Sequence, residues 1–419
     1  FPGGWFAQPP PDLRYRRSTG TVAEHSASKY FLRMMADHPW RTRDMLAAEM
    51  FLIPLDLEPF YPQASGPCAW SHYDTLLLAA LQSLRGSRAF RASGGRDHLW
   101  VVAQNSPEGT LAVAAPRTHR FLLESRMLEL IVAGVIEVFP YRAATARLLG
   151  HDFSRYQFRY SQHDQREWRK RRRRPWRCSL PVPYVQSFAF SAPPRDTLDF
   201  KDWLRREYLF YHHFSGNYQD SYSRALRTQA LKVPLLAASP SRVWVGDTFI
   251  DSEELLRGFR SSRFCFCIAG RDGGATRKHY DAVAHGCIPV AVVDQWLFAY
   301  APFGGQVDHT LYSVFVPEER WLNELPAVIR ELESMPVSVL EEKFRALQQV
   351  APLLTYDRND SHALGAALLW EARLRCGADA NDSALYPRNV PLEREVPEEA
   401  LDGKRVADYV RGAKGHGAG

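Results

Sequence analysis

Residues 262–293 collect side chains able to grip a phosphate. The apolar run Phe264–Ile268 feeds Ala269-Gly270-Arg271-Asp272-Gly273-Gly274-Ala275, then Thr276-Arg277-Lys278 and, one turn on, Asp281. Gly270, Gly273 and Gly274 permit tight turns and close approach of backbone to a ligand. Thr276 is placed as the N-cap of a helix running to about His285, and Gly286 as the residue that ends it. Cys287-Ile288-Pro289-Val290 then starts another strand. A strand, glycine loop and helix start of this kind form an anion site, because free N–H groups and the helix dipole point into the loop. At about 100° per residue, Arg277, Lys278, Asp281 and His285 share one face, while Tyr280, Val283, Ala284 and Cys287 are expected to pack on a sheet. Two cations in a first helical turn oppose the dipole unless a diphosphate lies above it, and Asp281 suits ribose hydroxyls. The same spacing also fits an ordinary surface helix carrying an i,i+4 Arg277–Asp281 pair.

Short apolar runs must position this stretch. Strands are expected at 50–55, 98–103, 130–138, 208–214, 243–245, 264–268, 288–293 and 313–316, with amphipathic helices such as 71–84, 222–232 and 322–335 between them. Near-continuous apolar strands alternating with helices predict an α/β chain of parallel sheets covered on both faces. The rhythm breaks at 162–196, first basic and then proline-rich. That break divides the chain into a linker (1–25), an N-terminal lobe (26–195) with a basic loop (162–177), a C-terminal lobe (196–376) and a tail (377–419). Ligands of such folds bind where strands end at their carboxyl edges, in a cleft between the lobes.

Composition narrows the classes. With 45 % apolar and 24 % charged residues in 419, the chain can bury sizeable cores. No apolar run reaches the ~20 residues that span a bilayer, so any anchor would lie outside this sequence. The net charge of +6 comes largely from Arg166, Arg169–Arg174 and Arg177. A run of one sign reads as a solvated loop or as a dock for an acidic polysaccharide, a nucleotide or a membrane surface. No nucleic-acid module accompanies it. The cysteines Cys68, Cys178, Cys265, Cys267, Cys287 and Cys376 form no CxxC pair, so zinc is not expected. Their even number permits disulfides without defining any, and Cys265, Cys267 and Cys287 lie in apolar runs where a free thiol acts as a small hydrophobe. Sequons at Asn359 and Asn381 are compatible with a secretory lumen.

The stretch from Ser262 onward resembles the signature of the exostosin family, glycosyltransferase family 47. Ser262, Phe264, Cys265, Gly270, Asp281, Ala282, Gly286, Cys287, Ile288, Pro289 and Val290 match it. The match continues through Pro302-Phe303, Val307-Asp308 and Ser313–Glu318. Upstream, Arg41-Thr42, Asp44, Ala48 and Phe51–Pro54 fit another segment of the family, and Ser93–His98 its Gly-Gly-Arg-Asp-His motif.

The resemblance implies two Rossmann-like lobes in the GT-B arrangement and an inverting transfer from a nucleotide-sugar, usually a UDP-sugar, to a polysaccharide or glycoprotein glycan. It also implies a type II membrane protein of the Golgi lumen, behind an anchor absent from this sequence, with homo- or hetero-oligomers open. The donor would lie on the second lobe, with Gly270, Gly273, Gly274, Thr276, Arg277 and Lys278 around its diphosphate and Asp281 on its ribose. No Asp-x-Asp triplet occurs, so no metal cofactor is expected and cations would stabilise the leaving diphosphate. The general base should come from the first lobe, where Asp97 and His98 are candidates, although the pair would equally fix a loop by hydrogen bonds. His212 and His213, in an apolar strand pattern, read as core or strand-face residues. Two departures stand out. Lys278 occupies a family arginine position, where a point charge replaces a planar fork, and Ala269 a family proline. They also fit a catalytically silent exostosin-fold subunit that binds glycan or scaffolds an active partner.

Overall fold

The computed structural model describes residues 27–55, 67–102, 111, 115–135, 178–187, 198–214, 221–248, 250–268, 276–293, 301–356 and 361–376. Two all-parallel sheets form among them. The first runs β1 (Phe51–Leu52), β2 (His98–Val101), β3 (Val132–Val135), β4 (Cys178–Pro181) in that spatial order. The second contains β5 (Tyr208–His213), β6 (Val243–Gly246), β7 (Ser262–Ile268), β8 (Ile288–Val292) and β9 (Val314–Val316), ordered β6-β5-β7-β8-β9. Its connections therefore reverse direction between β5 and β7. Ligands of open α/β sheets bind at such a switch point, outside the carboxyl ends of the strands.

The central strands of both sheets are buried on both faces, as the uninterrupted apolar runs require. On β2, Trp100 and Val102 pack with Leu77, Leu81, Phe90 and Leu122 on one side. Leu99 and Val101 face Phe31, Met35 and Leu180 on the other. That second side is closed by the helix Ala27–Ala36 and by the last helix, Ser361–Cys376, which packs on it and on β4. The last helix, expected within the second lobe, therefore returns to the first. A Cys178–Cys376 disulfide fastens it to β4. Gln186 and Tyr356 add a reciprocal pair, Gln186 Nε2 donating to the Tyr356 carbonyl at 2.9 Å and Tyr356 N–H to Gln186 Oε1 at 3.1 Å.

The strand missing from the sequence expectation is β4. Its Pro181 marks a domain boundary by composition, yet proline is tolerated at the last position of an edge strand. The cysteine reading also needs correction: Cys265 and Cys287 form a second disulfide between β7 and the start of β8. Cys267 is a buried free thiol, as expected. No described helix is long and apolar enough to cross a membrane. The basic run 166–177, both sequons, the linker 1–25 and the tail 377–419 lie outside the described residues.

Candidate functional site at the switch point

The helix Arg277–Ala284 follows β7 as expected, with the Thr276 hydroxyl accepting from the Lys278 N–H at 3.3 Å. Gly286 ends it at φ +66°, a conformation that suits glycine, and a side chain there would also meet Leu198. The expected polar face does not reach solvent. His279 through His285 are all buried. Tyr280 and Val283 join the main core, while Ala282 packs against Tyr211, Phe259 and the Cys265–Cys287 bridge. This is an enclosed helix whose first turn alone is partly open.

Asp281 is held inside. Its carboxylate accepts from the Ser187 N–H at 2.5 Å and the Ser187 hydroxyl at 2.7 Å, and Arg277 Nε stands 4.0 Å away. Burial raises its pKa, partly offset by Arg277 and the two Ser187 donors. The sequence reading gave Asp281 to a ribose. In the structure its oxygens tie the Arg277–Ala284 helix to the segment leaving β4, the connection between the lobes.

Lys278 lies under different constraints. Its Nζ is buried and has no hydrogen-bond partner. Burial pushes its pKa down to about 7, and the Arg227 charge adds to the effect. A buried ammonium without a counter-ion is unfavourable unless something negative arrives. The residues around Lys278 include His212 and His213, whose pKa values fall first through burial and then through the Lys278 charge. Both imidazoles carry a buried Nε2 without a partner. Three unsatisfied nitrogens thus gather at the carboxyl ends of β5 and β7. Gly270, Gly273 and Gly274 themselves lie outside the described residues. Sequence reading took His212 and His213 as core or strand-face residues because their neighbours are apolar. Their position at the last two residues of β5, directly before Phe214-Ser215-Gly216, was the available signal.

The candidate bases fall elsewhere. Asp97 and His98 stand at the amino end of β2, opposite to the edge at which parallel sheets bind ligands. Asp97 Oδ1 accepts from the Ser93 hydroxyl and is 2.6 Å from His98 Nδ1. The His98 ring is buried, stacked on Phe51 and edge-on to Phe90. Gly94 and Gly95, at φ +63° and +82°, make the turn that precedes them. The pair fixes a loop, and the catalytic assignment does not fit this position. Among the described residues that leave the carboxyl ends of β1–β4 (53–55, 102 and 182–187), Tyr184 is the only titratable side chain, and it is buried beside Tyr280. No group of three or more His, Cys, Asp or Glu among the described residues could hold a metal ion.

Two parallel lobes, the second with a topological switch point flanked by unsatisfied side-chain nitrogens, define an α/β protein of GT-B type. The Exostosin GT47 domain matches the chain over residues 12–332. The chain belongs to that family and carries a glycosyltransferase domain. No curated protein matches it. Among solved structures it is similar to an alpha,alpha-trehalose-phosphate synthase (UDP-forming) from Burkholderia vietnamiensis, at 10 % identity over 74 % of this chain and 78 % of that one, TM-score 0.37. It is also similar to a glycosyltransferase from Rickettsia africae, at 11 % identity over 74 % and 83 %, TM-score 0.32. These likenesses are too distant to bear on substrate.

Proposed function

We propose that the chain is an inverting, metal-independent glycosyltransferase that moves a sugar from a UDP-sugar to a polysaccharide or glycoprotein glycan. The observation that carries this reading is the buried, unpartnered Lys278 Nζ at the switch point, on a Thr276-capped helix start. The acceptor hydroxyl attacks the anomeric carbon as the bond to the diphosphate breaks, with inversion, and the hydroxyl proton passes to solvent water. Negative charge then grows on the leaving diphosphate. Lys278, Arg277 and the first-turn N–H groups meet it without reorganising, which is electrostatic stabilisation of the transition state. Gly270, Gly273 and Gly274 would let the backbone approach the phosphates. Asp281 reaches the ribose only by releasing Ser187, so its first task is to couple the donor helix to the lobe connection. The absence of an Asp-x-Asp triplet from the whole sequence supports metal independence. Two disulfides favour an oxidising compartment such as the Golgi lumen.

The test is a donor panel: release of free sugar or transfer to a glycan acceptor from several UDP-sugars, with the anomer of the product read by NMR. Turnover with inversion and without added metal is expected. Loss of all turnover after chelation contradicts metal independence. A chain that binds no nucleotide and transfers nothing would instead be the silent exostosin-fold subunit.

A further inference from the structure

His213 differs from three other buried histidines of the second lobe, His309, His279 and His212. His309 engages Tyr312 Oη and the Pro302 carbonyl with its two ring nitrogens, at 2.7 and 2.8 Å. His279 Nε2 meets the same Tyr312 Oη at 3.0 Å. His212 Nδ1 donates to the Phe266 carbonyl at 2.8 Å. The His213 ring makes no hydrogen bond with any described residue, and its Nε2 is buried. Alternation along β5 places it on the same face as Tyr211, which packs against Cys265, Cys267 and Ala282. That is the face covered by the Arg277–Ala284 helix. The ring lies against Gly246 at the carboxyl end of β6, so it stands on the rim of the switch point.

We infer that His213 is a further donor-contacting residue, its Nε2 donating to the same diphosphate that Lys278 holds, with protons taken up from solvent as the anion binds. The inference rests on the donor reading above and adds a residue and a proton balance to it. An imidazole and an amine left neutral by burial cost little in the empty site. A diphosphate arriving between them favours their charged forms, and a charge-assisted hydrogen bond replaces each unsatisfied nitrogen. Burial and the Lys278 charge hold the His213 pKa down to about 4, with Asp247 acting the other way. The Lys278 pKa of about 7 reflects burial and Arg227, against Cys267 and Asp281, with Arg277 adding to the depression. His212 faces the same charges, and its Nε2 joins the rim from the other side of the strand. Every one of these groups except Asp247, Asp281 and Cys267 becomes or remains positive in the presence of the anion. Donor affinity must therefore weaken as pH rises through about 7.

The experiment is calorimetry of UDP and of inorganic pyrophosphate, repeated in buffers of different ionisation enthalpy from about pH 6 to about pH 8. Net proton uptake is expected for the unmodified chain. His213→Leu should weaken both ligands roughly tenfold or more. His213→Gln keeps an N–H donor of similar reach but cannot take up a proton, so it should retain part of the affinity and less of the proton uptake. Binding of both ligands with unchanged affinity and proton uptake in the two variants overturns the inference and leaves the donor reading standing. Pyrophosphate binding that depends on His213, with no gain from the nucleoside, upholds the inference and overturns the donor reading. Failure of the unmodified chain to bind either ligand overturns both. Lys278 alone can supply proton uptake in the unmodified chain, so if His213→Leu does not fold, His213→Gln carries the test, and unchanged affinity and proton uptake in that variant overturn the inference.

Discussion

The two edges of the second sheet each bury a cation that has no carboxylate partner, and they treat it differently. At the amino edge, Arg206 donates to the carbonyls of Phe259, Ser262, Gly286 and His285 at 3.2, 2.7, 3.0 and 2.8 Å. Those carbonyls belong to two helix ends and a strand start, so one guanidinium closes three elements. Its pKa is held down to about 9 by burial, which still leaves it protonated at neutral pH. At the carboxyl edge, Lys278 donates to nothing, and the nearby His212 and His213 each keep an unpartnered Nε2. Arg206 is satisfied within the protein itself, whereas the Lys278 Nζ is left open, although the amino edge also buries Ser262 Oγ and Arg263 Nε without partners. Buried polar groups cost free energy unless bonded, so an open amine at the switch point favours a ligand, whereas a buried charge by itself does not.

Acid acts on both edges and gives the largest expected effect. Burial lowers His213 and His309 to about 4 and His285 to about 3. These rings are neutral in the fold, while the unfolded chain protonates near the ordinary value of 6.5. The unfolded state therefore binds more protons below that pH. The stabilisation is fully present above 6.5 and is lost as pH falls toward 4, each ring contributing up to about 1.4 kcal/mol per pH unit in the window. Urea midpoints across this range should fall steadily with acidification. Pyrophosphate should restore the His213 share and leave the His285 share lost, because His285 sits beside Arg206 and Arg260 at the closed edge.

Arg206→Met should cost about 3 kcal/mol or more in denaturant titrations, since several buried carbonyls lose their donor at once. Asp97→Ala should cost about 1 to 2 kcal/mol by loosening the turn into β2. Its kcat per folded molecule should stay unchanged, and a kcat loss of ~100-fold would return Asp97 to the catalytic site.

The sequence patterns that held are those set by local physics. Eight of the nine strands follow from short apolar runs, and the Thr276 cap and Gly286 stop follow from backbone chemistry. What failed depends on the partner across space. The polar face of the Arg277–Ala284 helix looked solvent-facing because spacing does not reveal that Ser187 and the helix Val337–Leu354 pack on this helix. Pairing of Cys178 with Cys376 and of Cys265 with Cys287 needs the fold, since connectivity is not encoded in spacing. His213 was hidden by its apolar neighbours, although its place at the end of the strand that opens the second lobe was visible.

The smallest stability change and the most direct test meet at Lys278. Lys278→Met replaces a buried, unpartnered amine by an apolar chain of similar length. It should leave unfolding free energy within about 1 kcal/mol of the unmodified chain, or raise it. The decisive measurement is calorimetric titration of UDP into the unmodified chain and Lys278→Met at neutral pH. The open-edge account predicts binding to the first and a loss of roughly tenfold or more in the second, with no loss of fold. Equal UDP affinity in the two proteins would contradict it.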